Sequence, residues 1–223
     1  MPFIVGSLKD ACVGLKSRYS HRKLPLAFWL DLRGTFVFGI SGALVAVRRA
    51  LDIFGIAVLS VAVGLAGGMI WDKLLGATPP TALEDPCYLL TALAAGVCVF
   101  FGQRLLERLN KPVMMLEALG VFAVSGCLKS LLFGLDSLLA FLLGVLSAVG
   151  GGATRDLLVV EIPRVLREEV YALAAMVGAT IVVAGAALGL PETWTAVAGV
   201  VAAFGFRVIS VCRGWRAPRG AGT

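Results

Sequence analysis

The sequence predicts an all-α membrane protein: seven transmembrane helices arranged as two inverted three-helix repeats plus a seventh helix, with spans two and five broken at glycines. Three observations predict it. Hydrophobic residues make up 59% of the 223 residues and charged residues only 15%, against roughly 25% charged in soluble domains; mean hydropathy is +0.92. Apolar windows long enough to cross a bilayer recur along the whole chain. The chain also matches itself when displaced by 84 residues, with Phe38 falling on Phe122.

A hydrocarbon core of roughly 30 Å needs about 20 apolar residues at 1.5 Å of rise each. Windows of that kind lie at 30–47, 53–75, 87–106, 113–133, 137–160, 169–188 and 192–211. The connections between them are short: "RRALD", "GATPPTALEDP", "ERLNKP", "FGLD", "EIPRVLREE" and "GLP". Ahead of the first span, residues 1–29 form a basic leader with Lys9, Lys16, Arg18, His21, Arg22 and Lys23 around a brief apolar start. It lacks the apolar core and small-residue cleavage site of a signal peptide and is expected to be disordered. Residues 30–108 form the first repeat, 109–190 the second, 191–212 the seventh span and 213–223 a basic tail.

Lysine and arginine in short loops set orientation. Arg48, Arg49, Arg104, Arg108, Lys111, Arg155, Arg164, Arg167, Arg207, Arg213, Arg216 and Arg219 fall on one side, and the other side's connections hold Lys73. A cytoplasmic C-terminus follows. Seven spans then put the basic leader outside, the one feature against this topology.

The internal match rests on distinctive residues. Phe38, Ser41, Gly42, Leu51 and Asp52 fall on Phe122, Ser125, Gly126, Leu135 and Asp136; Gly67, Gly68, Asp72 and Pro79 fall on Gly151, Gly152, Asp156 and Pro163. Three spans per repeat is an odd number, so the second copy enters the membrane inverted. Transporters of this construction place their site near the midplane, where paired helices are interrupted.

"GLAGG" in span two and "GGG" in span five (Gly150, Gly151 and Gly152) are the expected breaks, since glycine costs roughly 1 kcal/mol in a helix interior. In hydrocarbon a break survives only where protein or water covers the freed backbone, so Gly67, Gly68, Gly150, Gly151 and Gly152 are candidate pore-lining positions. The plainer alternative is close helix packing, the ordinary use of small residues in membranes. Hydroxyls of Ser41, Ser125 and Thr154, with Thr35, Ser60 and Ser147, could replace water around an ion or simply bond back to their own helices.

Ionisable groups inside spans need a cavity or a partner. Asp72, Lys129, Arg155 and Asp156 are the charge or gating candidates, beside Asp31 and Glu117. Arg155 and Asp156 are neighbours on a helix and point different ways, so partners from other helices are expected. Lys129 either snorkels to the interface or faces the interior. Trp71 stands where the repeat would put a second arginine.

Other classes fare poorly. The basic residues form no face with interleaved aromatics, so no nucleic-acid partner is expected. Five cysteines without a CxxC pair give no metal spacing, and no metal, cofactor or disulfide is expected. A single histidine, His21 in the leader, leaves no nucleophile-base pair for an enzyme. A pure scaffold leaves the paired glycine motifs unexplained.

The stretches "DLRGTFVFGISGALVAVRRALDIFG", "PPTALEDPCYLL", "GVFAVSGCLKSLL" and "GVLSAVGGGATRDLLVVEIPRVLREEVYALAA" resemble the prokaryotic trimeric intracellular cation channels, over residues 30–211. The resemblance implies a homotrimer with one pore per subunit, made by the first two helices of each repeat and kinked at the glycines, conducting potassium and other monovalent cations. Two positions depart from the family pattern: "AGGMIWD" replaces a fuller "GGGxxRD", and Glu117 stands near a usual aspartate. The same bacterial family has been labelled as glycine transporters, which keeps a small-solute carrier open as the alternative.

Overall fold

The computed structural model describes residues 25–76, 79–108, 119–167 and 169–213. Among them every regular element is helical. They are α1 (Pro25–Arg48), α2 (Ile53–Leu74), α3 (Thr81–Glu84), α4 (Pro86–Arg108), α5 (Leu119–Leu132), α6 (Ser137–Leu158), α7 (Arg164–Arg167), α8 (Glu169–Ala187) and α9 (Glu192–Cys212). Four helices are long and apolar enough to cross a membrane, namely Phe28–Arg48, Ile53–Leu74, Ser137–Leu158 and Glu192–Ser210; Pro86–Gly102, Gly120–Leu132 and Ala172–Ala187 are shorter apolar helices. The leader, the C-terminal tail and Glu117 lie outside the described residues.

The 84-residue correspondence reaches into local geometry. α2 and α6 begin and end at matching positions, and the N-cap of each is the matched aspartate, Asp52 or Asp136. Asp52 accepts a 2.8 Å hydrogen bond from the Gly55 amide. Just before these caps, Ala50 and Gly134 both take positive φ; just after the helices, Gly76 and Val160 do the same. The amides of Leu51 and Leu135 bond back to the carbonyls of Ala46 and Ser130, and those of Ala50 and Gly134 to Val47 and Leu131. This six-to-one and five-to-two pairing closes a helix through a left-handed residue. The turn geometry is therefore retained even where one copy has lost its glycine.

Packing repeats in the same way. α1, α2 and α4 touch one another, and so do their counterparts α5, α6 and α8; the two sets meet mainly through α2 against α6 and α1 against α5, while α9 lies on α8 and α5. Small residues permit the approach. A Cβ on Gly42 would lie 2.5 Å from the Leu59 carbonyl oxygen, and one on its counterpart Gly126 would lie 3.1 Å from the Ser147 Cβ. Buried Ser60 adds polar cross-links, donating at 3.1 Å to the Gly39 carbonyl and at 2.6 Å to that of Ala92.

One expectation is corrected here. α2 and α6 run without interruption through residues 64–68 and 150–152, so the glycines do not break the helices. Three helical glycines cost about 3 kcal/mol in propensity, whereas each backbone group left unpaired in hydrocarbon costs several. The ladder is the cheaper arrangement.

Val160 is β-branched with φ of 58°, a conformation that costs an L-residue roughly 1–2 kcal/mol. It is almost wholly exposed, so nothing packs against its side chain. Val160→Gly is expected to raise stability by about 1 kcal/mol, read as a higher midpoint in thermal unfolding of the detergent-solubilised protein; a lower midpoint would refute the strain.

Candidate functional site

Polar side chains gather in two clusters at opposite ends of the α1, α2, α5 and α6 core. α1 starts at one end with Asp31 and reaches the other near Ser41; α2 returns, bringing Trp71 and Asp72 back beside Asp31. In the same way α5 ends with Lys129 beside Trp71, and α6 ends with Arg155 and Asp156 beside Ser41.

Matched positions 71 and 155 do matched work with different chemistry. Trp71 donates its indole N–H to the Gly126 carbonyl and to Ser130 Oγ, each at 3.0 Å. Arg155 donates from Nη1 to Ser41 Oγ at 2.5 Å. Each bond runs from the second helix of one half to the first helix of the other. Arg155 Nε also donates to Asp156 Oδ1 at 2.9 Å, which corrects the expectation that these neighbours stay apart. The guanidinium stem is long enough to turn back on the adjacent carboxylate, and both groups are almost fully buried.

At the other end Lys129 is also buried and forms an ion pair with Asp31. Its Nζ lies 5.1 Å from the centre of the Trp71 ring, within cation–π range. Tyr88 offers its hydroxyl to Asp31 at 3.5 Å. Lys129 therefore turns inward, because a buried carboxylate and an aromatic face lie within reach of its stem. Asp72 accepts from the Thr81 amide at 2.7 Å and, more weakly, from the Thr81 hydroxyl at 3.4 Å. Around these groups lies a chamber walled by Asp31, Thr35, Gly68, Asp72, Thr81 and Lys129, with about 10 Å³ open to the centre of a water molecule, which is room for about one water.

Between the clusters the core is apolar and closely packed. The Phe38 and Phe122 rings, themselves matched positions, meet with centroids 5.1 Å apart. A Cβ on Gly151 would lie 3.0 Å from the Phe38 ring, and one on Gly67 would lie 2.6 Å from the Ser147 carbonyl oxygen; Gly150 faces Ile70 at 2.7 Å. Ser147 Oγ donates to the Gly67 carbonyl at 3.2 Å. Gly67, Gly150 and Gly151 are thus close-packing positions, and Gly152 is buried beside them. Gly68 differs, with nothing within 4 Å of its would-be Cβ.

Of the residues singled out in the sequence, Asp72, Lys129 and Gly68 share the chamber, and Ser41, Arg155 and Asp156 form the opposite cluster. Ser125 and Thr154 turn back onto their own helices, to the carbonyls of Phe122 and Gly150. Sequence reasoning passed over Thr81, Ser130 and the roles of Tyr88, Phe38 and Phe122. The two phenylalanines were visible as repeat landmarks, but composition does not mark an apolar landmark as a constriction.

A bundle with four helices long and apolar enough to cross a membrane, holding the Lys129–Asp31 and Arg155–Asp156 pairs inside it, is a multi-pass membrane protein. The family model described as "Glycine transporter" matches residues 28–104 and 113–187, and the chain belongs to that family. Relatives include a UPF0126 membrane protein of Deinococcus radiodurans, 44% identical over 156 residues and covering 68% of this chain and 72% of that protein. UPF0126 inner membrane protein YadS of Escherichia coli (strain K12) is 39% identical over 156 residues, covering 69% and 75%. Among solved structures, the trimeric intracellular cation (TRIC) channel orthologue from Rhodobacter sphaeroides superimposes with a TM-score of 0.81 at 37% identity, covering 85% of this chain and 99% of that one. A second, from a study of conductance through TRIC cation channels, gives 0.79 at 32% identity, covering 87% and 97%. The resemblance to the prokaryotic TRIC channels is borne out.

Gly67 and Gly68 separate packing from lining. Gly67→Ala is expected to destabilise the protein by about 1–3 kcal/mol through overpacking against the Ser147 backbone, while Gly68→Ala leaves unfolding near wild type. Equal thermal midpoints for the two variants would contradict the assignment.

Proposed function

We propose that the protein is a passive monovalent cation channel, permeable to potassium, with one pore in each subunit of a homotrimer. The observation that carries this reading is the pair of buried polar clusters placed at matched positions on either side of the Phe38–Phe122 constriction. Ions would cross between the two halves, which sit in the membrane as inverted repeats. The solved TRIC structures are those of trimeric cation channels, and the likeness to them supports trimeric assembly and cation conduction here. The basic loops favour an inner-membrane placement with a cytoplasmic C-terminus, so that the Arg155 cluster, near Arg48 and Arg49, faces the cytoplasm.

The constriction is the element that must yield. Glycines at Gly67 and Gly151 leave the phenylalanine rings directly against backbone, so a small shift of α2 or α6 opens or closes the path. Lys129 and Arg155 would shape the field along it. One charge crossing the whole membrane field is worth about 2.3 kcal/mol per 100 mV, so displacement of either side chain would make conduction depend on voltage.

The family description favours a second reading, a carrier of a small solute such as glycine, working by alternating access. Reconstitution separates them. The channel reading expects unitary potassium currents in planar bilayers; saturable glycine uptake by proteoliposomes without such currents would overturn it. Within the channel reading, Gly151→Leu drives a branched side chain into the Phe38 ring and should lower single-channel conductance severalfold in a folded trimer. Arg155→Ala is expected to change conductance or its voltage dependence, and wild-type behaviour in both would remove Arg155 from the pathway.

A further inference from the structure

The two end clusters carry different charge. Arg155 faces Asp156, so that end is neutral as a pair. At the chamber end Trp71 occupies the arginine position and brings a hydrogen-bond donor but no charge. Lys129 neutralises Asp31. Asp72 is then left with only the amide and hydroxyl of Thr81, and no lysine or arginine among the described residues pairs with it. An ionised carboxylate buried at this depth is costly unless a cation compensates it.

The chamber supplies what such a cation needs. Thr35 is 2% exposed and lines it, yet its hydroxyl makes no hydrogen bond within the described residues. Thr35 thus lines the same small space as Asp72 and Thr81. An ion shedding water requires several such oxygens. The free space admits one body of about a water's size, and a bare potassium ion is close to that size.

On these grounds, and resting on the channel reading above, we infer that the chamber is a binding site for a single dehydrated monovalent cation, coordinated by Asp72, Thr35 and Thr81. The Asp31–Lys129 pair is its wall. It contributes no net charge, so one monovalent ion completes neutrality, and the nearby ammonium opposes a second ion or a divalent one. Asp72 thereby acquires a role that its counterpart Asp156, held by Arg155, does not have.

Equilibrium binding of radioactive thallous ion to the purified full-length protein in detergent tests this without requiring conduction. The expected result is saturable binding to one class of site, competed by potassium. Asp72→Asn keeps the shape and the Thr81 contact but loses the charge, and Thr35→Val keeps the shape but loses the oxygen. Each should weaken binding about tenfold or more, the loss expected for a contact to a charged group, with elution volume and thermal unfolding showing the fold intact. Lys129→Met should admit calcium to the site. Thallous binding that is absent from the wild type, or unchanged in both Asp72→Asn and Thr35→Val, would overturn the site. Bilayer currents keep the two readings apart: conduction with no saturable binding rejects the chamber site alone, and binding with no conduction supports the site while rejecting the channel.

Discussion

Two buried donors, Trp71 and Arg155, hold the rest of the molecule in register. Each leaves the second helix of its half and bonds to the first helix of the other, Trp71 to Gly126 and Ser130 and Arg155 to Ser41. In hydrocarbon there is no water to take their place, so a buried acceptor that loses its donor bears the full desolvation cost. The two lie at opposite ends of the core, and the halves are therefore pinned at both ends. Between them the halves meet through the Phe38–Phe122 ring pair, the Ser147–Gly67 hydrogen bond and the close approaches at Gly67, Gly150 and Gly151.

The repeat preserves shape more faithfully than charge. Helix bounds, caps, left-handed turn residues and glycine contacts recur 84 residues apart, because backbone packing tolerates few alternatives. The charged positions diverge. Asp72 and Asp156 occupy equivalent places, but one accepts hydrogen bonds from Thr81 and the other pairs with an arginine. Lys129, whose counterpart is Val45, restores a cation on the side where Trp71 replaces arginine. Its ammonium rests near that same tryptophan ring, so the replacement and the added lysine form one local solution. An exposed ion pair between Arg49 and Glu161 adds a further link between the halves at the Arg155 end, though exposed pairs contribute at most about 1 kcal/mol.

Much of the fold was legible in the chain because the bilayer imposes it. Expected spans at 53–75, 137–160 and 169–188 meet helices at Ile53–Leu74, Ser137–Leu158 and Glu169–Ala187, since a fixed hydrocarbon thickness dictates the length of each apolar run. The site was legible only in part. A glycine that interrupts a helix and one that lets another backbone approach look alike in sequence; what decides is the group opposite, the Ser147 carbonyl for Gly67 and open space for Gly68. Likewise a lysine near the end of a span reads equally well as snorkelling or inward, until Asp31 is found within its reach.

The sequence by itself determined the solvent, the number and length of the apolar segments, the internal duplication and the turns that bound its helices. These follow from hydropathy, periodicity and local backbone preference, all properties of short stretches of chain. Tertiary structure alone decided that the glycine-rich helices stay continuous, that Arg155 turns back on Asp156, and that Asp31, Asp72, Thr35, Thr81 and Lys129 enclose one chamber. The physical reason is distance along the chain. Asp31 and Lys129 are 98 residues apart, and no local rule fixes which buried charges will meet once the helices pack.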